Sequence, residues 1–303
     1  MKINNRFTGT EPSLDLEARA FDADSAGGAG RRQDVRLLRE HEMEIYVNEE
    51  LTMRLVCTPD HLPELVMGRL LTEGIIRDAE DVDLLYVCEF GKTARVLLRE
   101  QNGGSADAAA ETVGHADAAA EDRYIDLTPS CCTGNQTLSG RYLRGGELPK
   151  LPACPWDEKA LAELVRTAAA HFAKDTPLHR ETGSTHSCFL LAGGAGKPAD
   201  TAGCCCEEPG AETPQICFEA EDIGRHNAID KVVGRALIQG IDLTQAALFI
   251  SGRVPIDVAV KVIRAGIPVL ISKELPTADV VRLAEAQGLT LIGRARESGF
   301  LVF

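Results

Sequence analysis

From Leu248 to Gly293 the chain alternates two apolar rhythms, and few folds accept that order. Leu248–Ser251 is a short continuous apolar run, and Asp257–Ala265 has helical spacing. Val269–Ser272 is again strand-like, Thr277–Gln287 helical, and Leu289–Gly293 strand-like. A β-α-β-α-β order of this kind implies parallel neighbours joined by right-handed crossovers. Thr277 is a good N-cap, and Gly266 and Gly288 stand where helices end. The expected class is α/β.

The stretch just before it is chemically dense. Glu221–Leu237 reads EDIGRHNAIDKVVGRAL and places Asp222, Arg225, His226, Asp230 and Lys231 close together. Ile229, Val232, Val233 and Ala236 fall at helical spacing, so one face of a helix from Asn227 to Gln239 can bury, with Gly240 as its stop. The strand at Leu248–Ile250 then delivers Ser251, Gly252 and Arg253 to a strand end, where ligands of α/β layers bind. A turn between strand and helix offers backbone N–H groups to an anion. Two readings stand side by side: the charges line a site, or they solvate a helix face and the glycine makes a turn.

Charge narrows the partners. The chain of 303 residues has a net charge of -14, which argues against a nucleic-acid or acidic-membrane surface. An anionic ligand therefore needs Arg, Lys and His gathered locally. No run approaches the roughly 20 apolar residues of a membrane span. Met1–Thr10 has no apolar core of a secretion signal, so the ten cysteines are expected as reduced thiols in a cytoplasm.

The N-terminal half divides by composition. Met1–Arg32 is polar, with a Gly/Ala/Ser run at Ser25–Gly30, and residues 1–35 read as a mobile arm. Residues 36–100 read as a small mixed α/β unit. Its strands are Glu44–Val47, Leu51–Cys57, Leu84–Cys88 and Ala94–Leu98, and a helix from about Leu62 to Leu71 is capped by Asp60. Residues 101–123 lack any apolar period and read as an inserted loop. The remainder, 124–303, forms the main domain, interrupted at 193–215 by a second insertion that carries Cys204, Cys205 and Cys206. Adjacent cysteines without C-x-x-C spacing make a poor metal site, so no metal site is expected there.

A second stretch of interest lies between the insertions. A short strand, Tyr124–Leu127, leads into Thr128-Pro129-Ser130-Cys131-Cys132-Thr133-Gly134-Asn135-Gln136, which has no core pattern. A thiol in such a loop reaches outward, and Arg141 and Arg144 nearby favour the reactive thiolate. The bland alternative is a half-buried cysteine pair, but buried cysteines sit in apolar runs, as Cys188 does. After a helix at Asp157–Lys174, Glu181–His186 (ETGSTH) leads into a strand at Ser187–Leu191. His186 at its start reads first as a satisfied core histidine and second as a residue facing the strand end.

These blocks, taken together, resemble the FdhD family, the sulfur carriers required for formate dehydrogenase activity. The resemblance rests on VNEELTMRLVCTP, ELVMGRLLTEGII, the SCC of Ser130–Cys132, ETGSTH, EDIGRHNAIDK, FISGR, AGIPVLISKELPT and GLTLIGRAR, in that order. It implies a cytidine-deaminase-like three-layer α/β core with the smaller N-terminal α/β unit, usually as a homodimer. It also implies an activity. A cysteine desulfurase loads a persulfide on the carrier, and the sulfur passes to the molybdenum bis(molybdopterin guanine dinucleotide) cofactor before that cofactor enters apo-formate dehydrogenase. Cys131 matches the family's first loop cysteine. Gly134 stands where the family often has a second cysteine, and Cys132 is adjacent instead. The family's cofactor-binding segment falls on Phe249, Ile250, Ser251, Gly252, Arg253 and Val254. Arg225, His226, Lys231 and His186 are further candidates for the same pocket.

Two other functional classes remain. A zinc deaminase uses H-x-E with P-C-x-x-C. Here His186 is followed by Ser187-Cys188, and Pro129 by Ser130-Cys131-Cys132, so neither signature is present. The other alternative is a chaperone that binds the guanine dinucleotide cofactor without sulfur transfer.

Overall fold

The computed structural model describes residues 1–21, 30–99, 136–137, 148–192 and 215–303. The N-terminal part runs β1 (Lys2–Asn5), β2 (Ser13–Ala20), β3 (Arg31–Leu38), β4 (His41–Val47), β5 (Glu50–Cys57), α1 (Leu62–Thr72), β6 (Val82–Val87), β7 (Thr93–Leu98) and β8 (Gln136–Thr137). The C-terminal part runs α2 (Glu158–Lys174), α3 (Pro177–Thr182), β9 (His186–Ala192), β10 (Gln215–Asp222), α4 (Arg225–Gln239), β11 (Ala246–Ile250), α5 (Ile256–Arg264), β12 (Val269–Ser272), α6 (Ala278–Gln287), β13 (Thr290–Arg296) and β14 (Gly299–Val302). Both six-stranded sheets are mixed, ordered β1-β6-β7-β4-β5-β8 and β10-β9-β11-β12-β13-β14. The expected α/β class is present. Among the described residues no helix is long and apolar enough to cross a membrane.

The second sheet is covered on both faces, because its strands are apolar at successive positions and each side chain must bury on its own face. Phe189, Leu191, Ala247, Phe249, Val269, Ile271 and Ile292 meet α2 through Leu161, Leu164, Val165 and Ala168. The rings of Phe189 and Phe249 stack there at 5.1 Å between centroids, inclined by 7°. On the other face Cys188, Leu190, Leu248, Ile250, Leu270 and Leu291 pack with α4, α5 and α6. That cluster continues into α1 and the first sheet, through Leu65, Val66, Met43, Ile45, Met53 and Leu55. The helices α1 and α4 therefore lie between the two sheets and join the N-terminal unit to the C-terminal one.

The β-α-β-α-β order read from sequence is found: β11 pairs with β12, and β12 with β13, both parallel. β9 lies antiparallel on the other side of β11. The C-terminal end of β11 therefore meets the N-terminal end of β9, and His186 arrives beside Gly252.

Several expectations are corrected. Residues 1–35 are not simply an arm: β1 pairs parallel with β6, and β2 and β3 form a two-stranded ladder. β1 and β3 are mostly polar and exposed and carry no apolar alternation, so their pairing left no signal. The helix α1 starts from His61, which is left-handed at φ 48°, and not from a cap by Asp60, whose carboxylate is engaged by Lys231. A short helix that the sequence did not suggest, α3, opens at Pro177, and Gly183 closes it at φ 65°. The insertion placed at 193–215 gives up its last residue, since Gln215 begins β10 opposite Ala192. The strand Tyr124–Leu127 and the insertion at 101–123 lie outside the described residues.

Candidate functional site

The FISGR segment leaves β11 as its pairing ends, and most of it is committed to the fold. Phe249 and Ile250 are buried in the two cores, and Val254 is fully buried. The Ser251 amide donates to the Ser187 carbonyl at 3.0 Å, and the Ser187 amide donates to the Ser251 hydroxyl at 2.9 Å. The Ser251 amide that sequence reasoning offered to an anion thus extends the β9–β11 pairing, as does the Ser251 hydroxyl. The Gly252 carbonyl accepts from the Ser272 hydroxyl at 2.7 Å. The bare face of Gly252 looks at the His186 ring, and a Cβ there would meet Nδ1 at 3.4 Å. Arg253 is exposed, and among the described residues it makes no ion pair.

The start of α4 brings the other charges to this strand end. Its N-cap is Gly224, and no side chain caps the first turn. An uncapped N-terminus favours negative charge through its dipole. Arg225, in that first turn, is only 9% exposed, and its Nε has no hydrogen-bond partner among the described residues. A buried guanidinium nitrogen without an acceptor is costly, so this is a place where an anionic group would be stabilised. His226 places Nε2 3.1 Å from Asp257 Oδ2, in the first turn of α5. Burial lowers the His186 pKa, and the Arg225, His179 and His226 charges lower it further against the opposing pull of Asp222. His186 is therefore a neutral imidazole near pH 7, and its Nδ1 faces Gly252. His186, Gly252, Arg225 and His226 are brought together, with Arg253 at the rim.

Lys231 is not part of that group. It is fully buried, with its ammonium 2.7 Å from Asp222 Oδ2, 2.7 Å from the Thr58 hydroxyl and bonded to Asp60. Burial works against its charge, but the Asp222 and Asp60 carboxylates outweigh burial and raise its pKa above the ordinary value. Its expected place in a cofactor pocket is thus corrected: all three N–H donors are used within the fold. Asp230 behaves likewise. Its carboxylate takes Thr72 at 2.7 Å and Lys261 at 2.9 Å, with Arg69 at 3.5 Å. Helical geometry explains the split, because residues 225 and 226 sit at the open first turn while 230 and 231 lie a turn deeper against α1.

Sequence reasoning gave no role to two residues that shape this strand end. Asp222 is fully buried and uses both oxygens. Oδ1 accepts from the Gly224 amide and the Asn227 amide side chain, each at 2.8 Å. Oδ2 accepts from the Thr58 amide at 3.0 Å and from Lys231. Glu221 accepts the Leu178 and His179 amides at 2.8 and 2.7 Å, capping α3, and takes the Thr185 hydroxyl at 3.0 Å. An acidic pair standing two residues before a glycine and a helix was the signal available for this.

Cys131, Cys132 and Cys204–Cys206 lie outside the described residues. The strand β8 begins five residues after Cys131 and pairs with β5 at Arg54 and Met53. The described cysteines are free thiols, and burial raises the pKa of Cys57 and Cys188 well above the ordinary range. No group of metal-ligand side chains is found among the described residues. A cavity of about 680 Å³ follows the outer edge of β10, between His61, His171, Phe218 and Arg36; neither Arg225 nor Arg253 lines it.

Fold and geometry together define an α/β protein with cationic side chains gathered at a strand end, beside a helix start that no side chain caps. Comparison with known proteins sharpens this: the family model described as FdhD/NarQ family matches residues 38–198 and 201–303, and the chain belongs to that family. A Listeria monocytogenes protein named sulfur carrier protein FdhD is 26% identical over 270 residues, covering 88% of this chain and 90% of its own. A Thermoplasma volcanium protein of the same name is 30% identical over 253 residues, covering 81% and 77%. The crystal structure of a Desulfotalea psychrophila protein assigned as a formate dehydrogenase accessory protein superposes with a TM-score of 0.64. It is 21% identical and covers 97% of both chains, so it supports the fold.

Proposed function

We propose that this chain is a sulfur carrier that serves formate dehydrogenase. The observation that carries the reading is membership of a family whose relatives bear that name and align over most of both chains. Cys131 is the proposed carrier. Its thiolate attacks the outer sulfur of a desulfurase persulfide, a new S–S bond forms on Cys131, and the desulfurase cysteine leaves as a thiolate. No net oxidant is needed for that exchange. The sulfur then goes to the molybdenum bis(molybdopterin guanine dinucleotide) cofactor, which is substrate here, ahead of its entry into apo-formate dehydrogenase.

The cofactor's phosphates are proposed to meet the β11 end and the start of α4. Arg225 supplies a buried guanidinium whose Nε has no acceptor among the described residues, Arg253 an exposed guanidinium, and neutral His186 a hydrogen-bonding ring. A protein of net charge -14 needs such local cations to hold a polyphosphate. A homodimer in the cytoplasm is part of the same proposal. The Arg225 Nε, without an acceptor among the described residues, would equally suit a chaperone that binds the cofactor without sulfur transfer. Intact-mass analysis after incubation with a cysteine desulfurase and cysteine separates the two. A thiol-labile addition of about one sulfur atom identifies a carrier, and an unchanged mass leaves the chaperone.

A further inference from the structure

We propose that Asp222 is the positioning residue of this site: it fixes the start of α4, and with it Arg225 and His226, against the end of β5. This rests on the reading of the α4 start as the cofactor's anion site and adds the device that builds it.

Four bonds carry the inference. Asp222 Oδ1 holds the Gly224 amide and the Asn227 side chain at 2.8 Å, so it sets where the helix begins. Oδ2 holds the Thr58 amide at 3.0 Å. Asn227 in turn donates to the Val56 carbonyl at 2.8 Å, a second bond from α4 to the end of β5. Asp222 also stands in register opposite His186 on β9. The Asp222 carboxylate thus ties the helix start to the N-terminal unit, and its backbone pairs with the strand that bears His186. Both oxygens are fully buried, so these bonds are made in a medium where geometry is strictly held.

The bland alternative is that Asp222 serves only to neutralise Lys231, 2.7 Å away. Two variants of the full chain distinguish the roles. Asp222→Asn leaves Lys231 short of one counter-charge, and Asp222→Asn with Lys231→Met removes the charge imbalance. Affinity for GDP, used as a cofactor fragment, is measured by calorimetry on folded protein. In parallel, NMR follows the Gly224 amide and the titration of His186 without ligand.

Positioning predicts that GDP affinity falls roughly tenfold or more in both variants. It also predicts that the Gly224 amide exchanges faster in both. The His186 pKa moves down once the Asp222 charge, which opposes Arg225, His179 and His226, is gone. Recovery of wild-type affinity in the double variant overturns the proposal and leaves Asp222 as a counter-ion. An unchanged Gly224 amide overturns it as well. If wild-type protein does not bind GDP, the anion-site reading fails, while the two NMR measurements still decide whether Asp222 positions the helix.

Discussion

Gly68 on α1 and Gly234 on α4 meet with no side chain between them. A Cβ on Gly68 would lie 1.8 Å from the Asp230 carbonyl oxygen, and one on Gly234 would lie 1.8 Å from the Glu64 carbonyl oxygen. Each is also against the other's amide nitrogen, at 2.8 and 2.6 Å from those built positions. The obstacles are backbone, so no rotamer change relieves them. This close crossing carries α4 to within reach of Thr72, Arg69 and the β5 end, and the buried ion pairs depend on it.

Substitution of either glycine by alanine is therefore expected to force the helices apart. Overpacking of this kind costs about 3 kcal/mol, more than the gain in helix propensity from alanine. Urea unfolding of Gly68→Ala checks it: the midpoint falls while the slope is retained. An unchanged midpoint would show that the helices are not in backbone contact.

Glu73 reports on the same interface through acid. Burial pushes its carboxyl up, but Arg69, Lys261 and Arg264 pull it down to about 2 from 4.5. Burial and Arg69 in turn hold the Lys261 ammonium below its ordinary value, against Asp230 and Glu73. A depressed carboxyl contributes stability that is complete above its unfolded value and is lost as pH falls toward the folded one. With the side chain 20% exposed, its contribution is on the order of 2 kcal/mol. Glu73→Gln should be less stable than wild type by that amount at pH 7, and the gap should narrow steadily below pH 4.5. A gap that is constant from pH 7 to pH 3 would sink the assignment.

What the sequence made legible follows from where burial writes a period. The alternation from Leu248 to Gly293 and the helix around Ile229, Val232, Val233 and Ala236 were readable because apolar side chains must face the core. β2 and β3 were passed over: Leu14, Leu16, Ala18 and Ala20 do alternate along β2, but Leu16 stays exposed, and its partner β3 is mostly polar, with Arg36 paired to Asp15. Within the site, the gathering of charges in EDIGRHNAIDK was plain, but their roles were not. Lys231 and Arg225 are both buried cations on one helix. Only three-dimensional neighbours show that Asp222, Asp60 and Thr58 consume Lys231, while Arg225 keeps an Nε without an acceptor among the described residues. Ser251 was misread for the same reason, since its partner Ser187 lies on a strand far away in sequence.

Cys131→Ala is expected to abolish persulfide formation and activation of formate dehydrogenase, with unfolding little changed. Cys132→Ala should do less. Intact mass after desulfurase treatment checks both, and sulfur uptake by Cys131→Ala at the wild-type rate would move the carrier role elsewhere. Cys57 and Cys188 are poor substitutes, because burial keeps them as thiols and the thiolate is the attacking form.

Arg253 tests the outer half of the proposed cofactor site independently of Asp222. Its guanidinium is exposed beside Gly252 and makes no ion pair among the described residues, so its removal leaves no partner stranded and should not disturb folding. A charge-assisted contact to a phosphate is worth on the order of 1.5–3 kcal/mol, and Arg253→Ala should weaken GDP binding by that much. Solvent screening at an exposed position favours the lower end, and the loss should shrink with added salt. Arg225→Ala, at the buried position, should cost more and respond less to salt, because buried charges are screened less. Sulfur loading on Cys131 should survive the loss of Arg253, since acceptance from the desulfurase involves no cofactor phosphate, whereas delivery to formate dehydrogenase should fail. Calorimetry with GDP at two salt concentrations makes the measurement. Unchanged affinity in Arg253→Ala removes that residue from the site, and lost persulfide loading would show that the two half-reactions share it.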